Sequence, residues 1–153
     1  MRKTLPKSEI RALNDKLREM YGWDLLDKKS LVQNEDDKFL YVDGDLMFFF
    51  HEKKWVPSLK QLLGLKTQFL KKVTVNMGAI EFVVGGADIM RPGVVKVDAG
   101  VKVGDYVLIE DERNQKPIAV GVALFSTEQI NSFLKGRIVK NLHWVGDPIW
   151  KMF

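Results

Sequence analysis

The chain contains no cysteine. That excludes disulfide staples, thiolate nucleophiles and cysteine-ligated zinc. Histidine is almost as scarce: His51 and His143 stand far apart, with no carboxylate at the spacing a helical metal site needs. A Walker loop, a dinucleotide fingerprint and a G-x-S-x-G elbow are all missing. No window approaches the roughly twenty apolar residues of a spanning helix. The opening run MRKTLPKSEIRALNDK lacks the apolar core of a secretory signal. These absences predict a cytoplasmic, non-catalytic protein with no cofactor, no metal and no membrane partner.

Neither sign of charge dominates. There are 24 basic and 20 acidic residues, a net charge of +4. A mild excess of this kind is compatible with an anionic partner. Residues 1–71 hold 14 basic and 11 acidic side chains, whereas residues 72–153 hold 10 and 9. The second half is therefore nearly neutral, and any anion it binds must be met by local clustering or by backbone amides. With 46% hydrophobic residues in 153, the chain can bury a core as one medium or two small domains.

Residues 1–70 read as a small α+β domain. Ser8 is the expected N-cap of a helix whose apolar residues Ile10, Leu13, Leu17, Met20 and Tyr21 recur at helical spacing, with Gly22 as its stop. A brief strand is expected at Leu31-Val32. The runs KFLYV and DLMFFF, joined by Asp43-Gly44, predict a hairpin with a type I′ turn. Phe48, Phe49 and Phe50 read as core rather than as a base-stacking surface. A second short helix follows Pro57, burying Leu59, Leu62 and Leu63. The boundary near residue 70 carries no Gly/Ser-rich linker.

Residues 71–153 alternate short strands with turn signals, as a small barrel does. The stretch KKVTVNMGAIEFVVGGADIMRPGV, residues 71–94, organises this half. A β-branched strand at Val73-Thr74-Val75 leads through Gly78 into a short helix over residues 79–84, which Gly85-Gly86 ends. Asp88-Ile89-Met90 re-enters a strand and Pro92-Gly93 turns the chain. Strands follow at residues 94–97, 106–109 and 117–124. Ser126-Thr127 caps a helix over residues 128–133 that Gly136 stops, and residues 137–144 form the last strand. Gly78 and Gly85-Gly86 flank one short helix with Lys71, Lys72 and Arg91 nearby in sequence, a platform on which a phosphate backbone could lie.

The run Met77-Gly78-Ala79-Ile80, then Gly86-Ala87-Asp88-Ile89-Met90-Arg91-Pro92-Gly93-Val94, resembles the PUA domain, an RNA-binding module. The resemblance continues through VGDYV at 103–107, KPIAVG at 116–121 and GRIV at 136–139. With the ending HWVGDPIW and the preceding domain, the chain is similar to the archaeal stand-alone PUA proteins and the eukaryotic malignant T-cell amplified sequence and ligatin proteins. The resemblance implies a PUA pseudo-barrel over residues 71–153 and a pre-PUA domain over residues 1–70. It also implies an RNA-facing groove formed by residues 78–86, 88–93 and 136–140. The expected RNA-binding residues are Lys72, Gly78, Ala79, Gly85, Gly86, Arg91, Pro92, Gly93, Lys135, Arg137 and Lys140. Arg137 and Lys140 differ by three positions and so face opposite sides of a strand; Arg137 is the preferred groove cation. Asp88 is expected to tie a loop rather than to react.

The implied role is non-catalytic binding of structured RNA, a tRNA acceptor end or ribosomal RNA, in initiation or recycling of translation. The small ribosomal subunit is an expected partner, and the N-terminal domain is expected to engage a protein. The alternative is an adaptor that delivers tRNA to a separate RNA-modification enzyme through its N-terminal domain.

Overall fold

The computed structural model describes all 153 residues, Met1–Phe153, as two compact units, Met1–Phe69 together with Phe153, and Leu70–Met152. In the first unit, strand β1 (Arg2–Thr4) is followed by helix α1 (Lys7–Tyr21) and then by strands β2 (Val32–Glu35), β3 (Phe39–Val42), β4 (Asp45–His51) and β5 (Lys54–Pro57). Helix α2 (Leu59–Leu63) ends the unit's regular structure. The five strands lie in sequence order, and every pair is antiparallel.

Three tight turns build this meander. Asp43 and Gly44 both take positive φ, 50° and 88°, as the expected type I′ turn requires. The same geometry recurs at Asp36-Asp37 and at Glu52-Lys53, where no glycine announces it. Ile10, Leu17, Leu26, Val32, Leu40 and Phe48 form the core beneath α1.

Several details correct the sequence reading. Helix α1 starts at Lys7 with Pro6 at its N-cap, not at Ser8, and no side chain caps it. The Pro6 carbonyl accepts the amides of Glu9 and Ile10 instead. Proline's fixed φ already suits a helix entry, so the hydroxyl further on is not needed. Phe48 and Phe49 are buried, but Phe50 lies half in water at the strand end beside Trp55. Leu63 and Met20 are likewise exposed, because a five-residue helix and a last helical turn each bury only one narrow stripe.

In the second unit, strand β6 (Lys71–Val75) leads into a 3-10 turn (Met77–Ala79) and the one-turn helix α3 (Ile80–Val83). Strand β7 (Ile89–Met90), a 3-10 turn (Arg91–Gly93) and strand β8 (Val94–Val97) follow. Then come β9 (Tyr106–Asp111), β10 (Pro117–Ala123), helix α4 (Thr127–Ser132), β11 (Arg137–Trp144) and a final 3-10 turn (Trp150–Met152). The sheet order is β7-β11-β10-β9-β6-β8, with β6 and β9 parallel.

That order explains the curvature. Strands β7 and β8 are the two edges of the sheet, yet only residues 91–93 separate them. Six flat strands would hold their edges about 24 Å apart. Four residue steps reach at most about 14 Å. The sheet must curl until its edges approach, giving a nearly closed pseudo-barrel around Val73, Val75, Val107, Ile109, Ala119, Ile138 and Val139. Helix α4 carries a full capping box, with Ser126 and Gln129 bonded reciprocally. It ends at Ser132, four residues before Gly136, which serves instead as a positive-φ turn (102°) into β11. No helix is long and apolar enough to cross a membrane.

Candidate nucleic-acid interface

The platform after β6 is held by short-range polar bonds. The Asn76 Oδ1 accepts from the Ala79 amide at 3.0 Å, and the Asn76 amide donates to the Gly93 carbonyl at 2.9 Å. These bonds fix the Met77–Ala79 turn against the Arg91–Gly93 turn. Gly86, at φ +93°, closes α3, and the Ala87 amide returns to the Phe82 carbonyl. Between the two segments lies a pocket of about 380 Å³, walled by Gly78, Ala79, Phe82, Met90, Pro92 and Gly93. That volume is near the small end of ligand sites and suits a single base or nucleoside, not a duplex. Phe82 and Met90 are 62% and 50% exposed, so large apolar surface faces water at its mouth.

Strand β11 supplies the charged rim. Arg137 lies opposite Met90 in the strand register, and its Nη1 donates to Asp88 Oδ2 at 3.1 Å. Lys135 and Lys140 are exposed on either side of it along the chain. Asp88 Oδ1 also accepts the Asn141 amide at 2.9 Å. Asn141 Nδ2 in turn donates to the carbonyls of Val83 and Ala87, both at 3.0 Å. Asp88 and Asn141 therefore clasp β11 to the loop between α3 and β7. Asp88 performs the tying role expected of it while also orienting a cation.

The glycines divide by what a side chain would meet. At Gly78 only Asn76 Oδ1, 3.5 Å away, would touch an added Cβ, so this backbone is open. At Gly93 the Ala79 methyl stands 3.1 Å away, a close packing of the two turns. At Gly85 the nearest atom is the Glu81 carbonyl at 3.2 Å. At Gly86 the Trp144 ring fills the space, 2.8 Å from the Cβ position. Gly86 thus admits the chain's own indole rather than a ligand, and Gly78, eight residues earlier, offers bare backbone at the pocket.

The three cations that lie near the platform in sequence sit elsewhere. Lys71 and Lys72 begin β6, whereas the pocket begins at its far end, about 13 Å away by strand rise. Arg91 is drawn inward: its Nε donates to the Ile130 carbonyl at 2.8 Å and its Nη1 to the Val94 carbonyl at 3.2 Å. It braces the end of α4 against β8. Arg91→Met should accordingly lower stability by about 1–3 kcal/mol through two abandoned carbonyls. Chemical denaturation checks this; an unchanged midpoint would show the brace to be idle. Phe82, Met90 and Asn141 are the site residues that sequence reasoning did not single out.

Behind the platform, β11 ends in a buried polar knot. His143 is fully buried, and its Nδ1 lies 3.0 and 2.9 Å from the two oxygens of Asp147. A carboxylate only accepts, so Nδ1 carries the hydrogen. Asp147 also accepts the amides of Trp144 at 3.1 Å and Trp150 at 2.7 Å. Burial pushes the Asp147 carboxyl up, but the bonds from His143 and the two amides outweigh it and hold the group below its usual range. Through Trp144, this knot sets the ring that Gly86 accommodates.

A curled six-strand sheet of this order, with one helical turn after its first strand, is the architecture of the PUA class of domain. Residues 71–145 match the PUA domain model, and residues 1–65 match the model described as a domain of unknown function, DUF1947. An uncharacterized protein of Methanocaldococcus jannaschii is 40% identical over 83% of this chain and 80% of its own length. Translation machinery-associated protein 20 of Saccharomyces cerevisiae is 37% identical over 83% of this chain and 75% of its own. The crystal structure of a hypothetical protein from Pyrococcus horikoshii superposes with a TM-score of 0.85 at 30% identity, covering 99% of each chain. The chain belongs to the PUA family that contains these proteins and the malignant T-cell-amplified sequence proteins.

Proposed function

We propose that this protein binds structured RNA, without catalysing a reaction, through the pocket between α3 and β7. The target is a tRNA acceptor end or ribosomal RNA, engaged in the cytoplasm on the small ribosomal subunit during initiation or recycling. The observation that carries this reading is the juxtaposition of Phe82 and Met90, exposed at a base-sized pocket, with Arg137 on the adjoining strand. A terminal base entering the pocket would cover the apolar wall, and the phosphate behind it would meet Arg137 or Lys135. Gly78 lets a sugar-phosphate approach the backbone closely. The kinship with a translation machinery-associated protein supports the setting.

The test is binding of an acceptor-stem minihelix, with and without its single-stranded 3′ end, at two salt concentrations. Phe82→Ala should weaken binding by roughly 5- to 100-fold, the worth of one stacked base. Arg137→Glu should reduce the salt dependence by about one phosphate contact as well as the affinity. Phe82→Ala alters an exposed side chain and should unfold like the parent, whereas Arg137→Glu sets a carboxylate against Asp88, so its unfolding midpoint is measured beside its affinity. Binding indifferent to the 3′ end and to both substitutions would reject the site.

A further inference from the structure

The first unit carries a second concavity, of about 430 Å³, between α1 and the segment that follows it. Ile10 and Leu26 form its floor; Lys7, Arg11 and Lys28 are exposed around its edge. Its shape is fixed by Asn14, whose Oδ1 accepts the amides of Leu25 and Leu26 at 3.1 and 3.2 Å. Arg18, also at the cleft, is committed to Asp15 and Asp24. Lys7, Arg11 and Lys28 have no acidic partner.

This placement of charge works against the helix. Lys7 opens α1, where the helix dipole already presents its positive end, and Arg11 stands one turn later as a like-charged i,i+4 neighbour. Glu9 in the first turn and Asp15 on the cleft wall offset this only in part, since neither is paired with Lys7 or Arg11. An anionic ligand would relieve both repulsions at once, and Lys28 faces it from the other wall. The aliphatic floor narrows the chemistry further. No aromatic ring lines the cleft, so a nucleobase has nothing to stack on, whereas an aliphatic side chain fits between Ile10 and Leu26.

We infer that this cleft is a docking site for an acidic protein segment, with carboxylates on Lys7, Arg11 and Lys28 and one aliphatic side chain on the Ile10–Leu26 floor. The segment meets a preformed surface, which lowers the ordering cost of binding. The proposal gives the expected protein contact of the N-terminal unit a location and a chemistry, and it is independent of the RNA pocket.

The experiment selects random displayed dodecapeptides on the immobilised full-length chain. Enriched sequences should be rich in Asp and Glu around a Leu, Ile or Val. A selected peptide, titrated into labelled protein, should shift backbone amides within residues 7–28. Arg11→Glu with Lys28→Glu should weaken it by roughly tenfold or more. The milder Lys7→Gln with Lys28→Gln should give an intermediate loss. Minihelix RNA affinity, measured on the same proteins, should not change, so failure here and failure of the RNA pocket are read separately. Enrichment without acidic residues would overturn the proposal, as would equal affinity for the charge-reversed protein. Displacement of the peptide by a dodecameric oligouridylate that shifts the same amides would assign the cleft to nucleic acid instead.

Discussion

Gly86→Ala should lower the unfolding free energy by about 3 kcal/mol, whereas Gly78→Ala, eight residues earlier, should change it by less than about 1 kcal/mol. The contrast follows from two separate costs at Gly86. Its φ of +93° lies in the region that side chains rarely adopt, and an added methyl would meet the Trp144 ring at 2.8 Å. The flat indole is packed against the barrel core and cannot step aside as a lysine tip would. Gly78 has ordinary φ, and an added methyl would touch only Asn76 Oδ1 at 3.5 Å. Denaturant unfolding of the two variants decides the matter. Equal midpoints would mean that Trp144 yields freely and that the closure of α3 is not held as described. The pair also separates stability from binding: Gly78→Glu should fold normally and lose RNA, because it fills open backbone at the pocket.

Asp147→Ala should be nearly as damaging, at about 3–5 kcal/mol. Removing the carboxylate takes their shared acceptor from the His143 Nδ1 hydrogen, which is buried, and from the part-buried amides of Trp144 and Trp150. The same carboxylate makes stability depend on pH with a definite sign. Its native pKa is depressed, so its contribution is complete above the unfolded carboxylate range, near pH 4. As pH falls through the lower native value, that contribution is lost. Asp111, held low chiefly by the Asn114 amide and also by the Lys116 and Arg113 amides, adds a term of the same sign. Wild type should therefore lose stability below about pH 4 more steeply than Asp147→Ala does. Parallel acid limbs for the two proteins would show that Asp147 is not the coupled group.

How much of this was legible in the sequence depended on whether a signal was local. Asp43-Gly44 declared its hairpin because glycine and aspartate tolerate left-handed backbone. Glu52-Lys53 makes the same turn with residues that give no such sign, so β5 was not foreseen. Strand β1 escaped notice because all three of its residues are exposed, leaving no alternation to read. At the site, Gly78, Ala79, Pro92 and Gly93 line the pocket where the family pattern places them. Lys72 was grouped with them by nearness in sequence, but a strand carries its ends apart by about 3.3 Å per residue. Arg91 looked like a surface cation; that it bonds Ile130, thirty-nine positions away, is a fact of tertiary packing. Phe82 within IEFVV reads as core, and only the direction of a one-turn helix decides that it faces water.

The strand order of the second unit also bears on how the chain acquires its structure as it is made. In the first unit, β2 to β5 pair only with sequence neighbours, so that meander can form once residue 57 is available. Contacts of such short range form quickly. The barrel has no such early exit: β7 pairs on β11 alone, and β10 needs β11 to complete its ladder. Until residues 137–144 emerge from the ribosome, the edge at Ile89 and the apolar face of β10 have no cover. The N-terminal unit is thus complete while its neighbour is still an open sheet. The last strand, which carries Arg137, finishes the barrel and the charged rim of the pocket in one event.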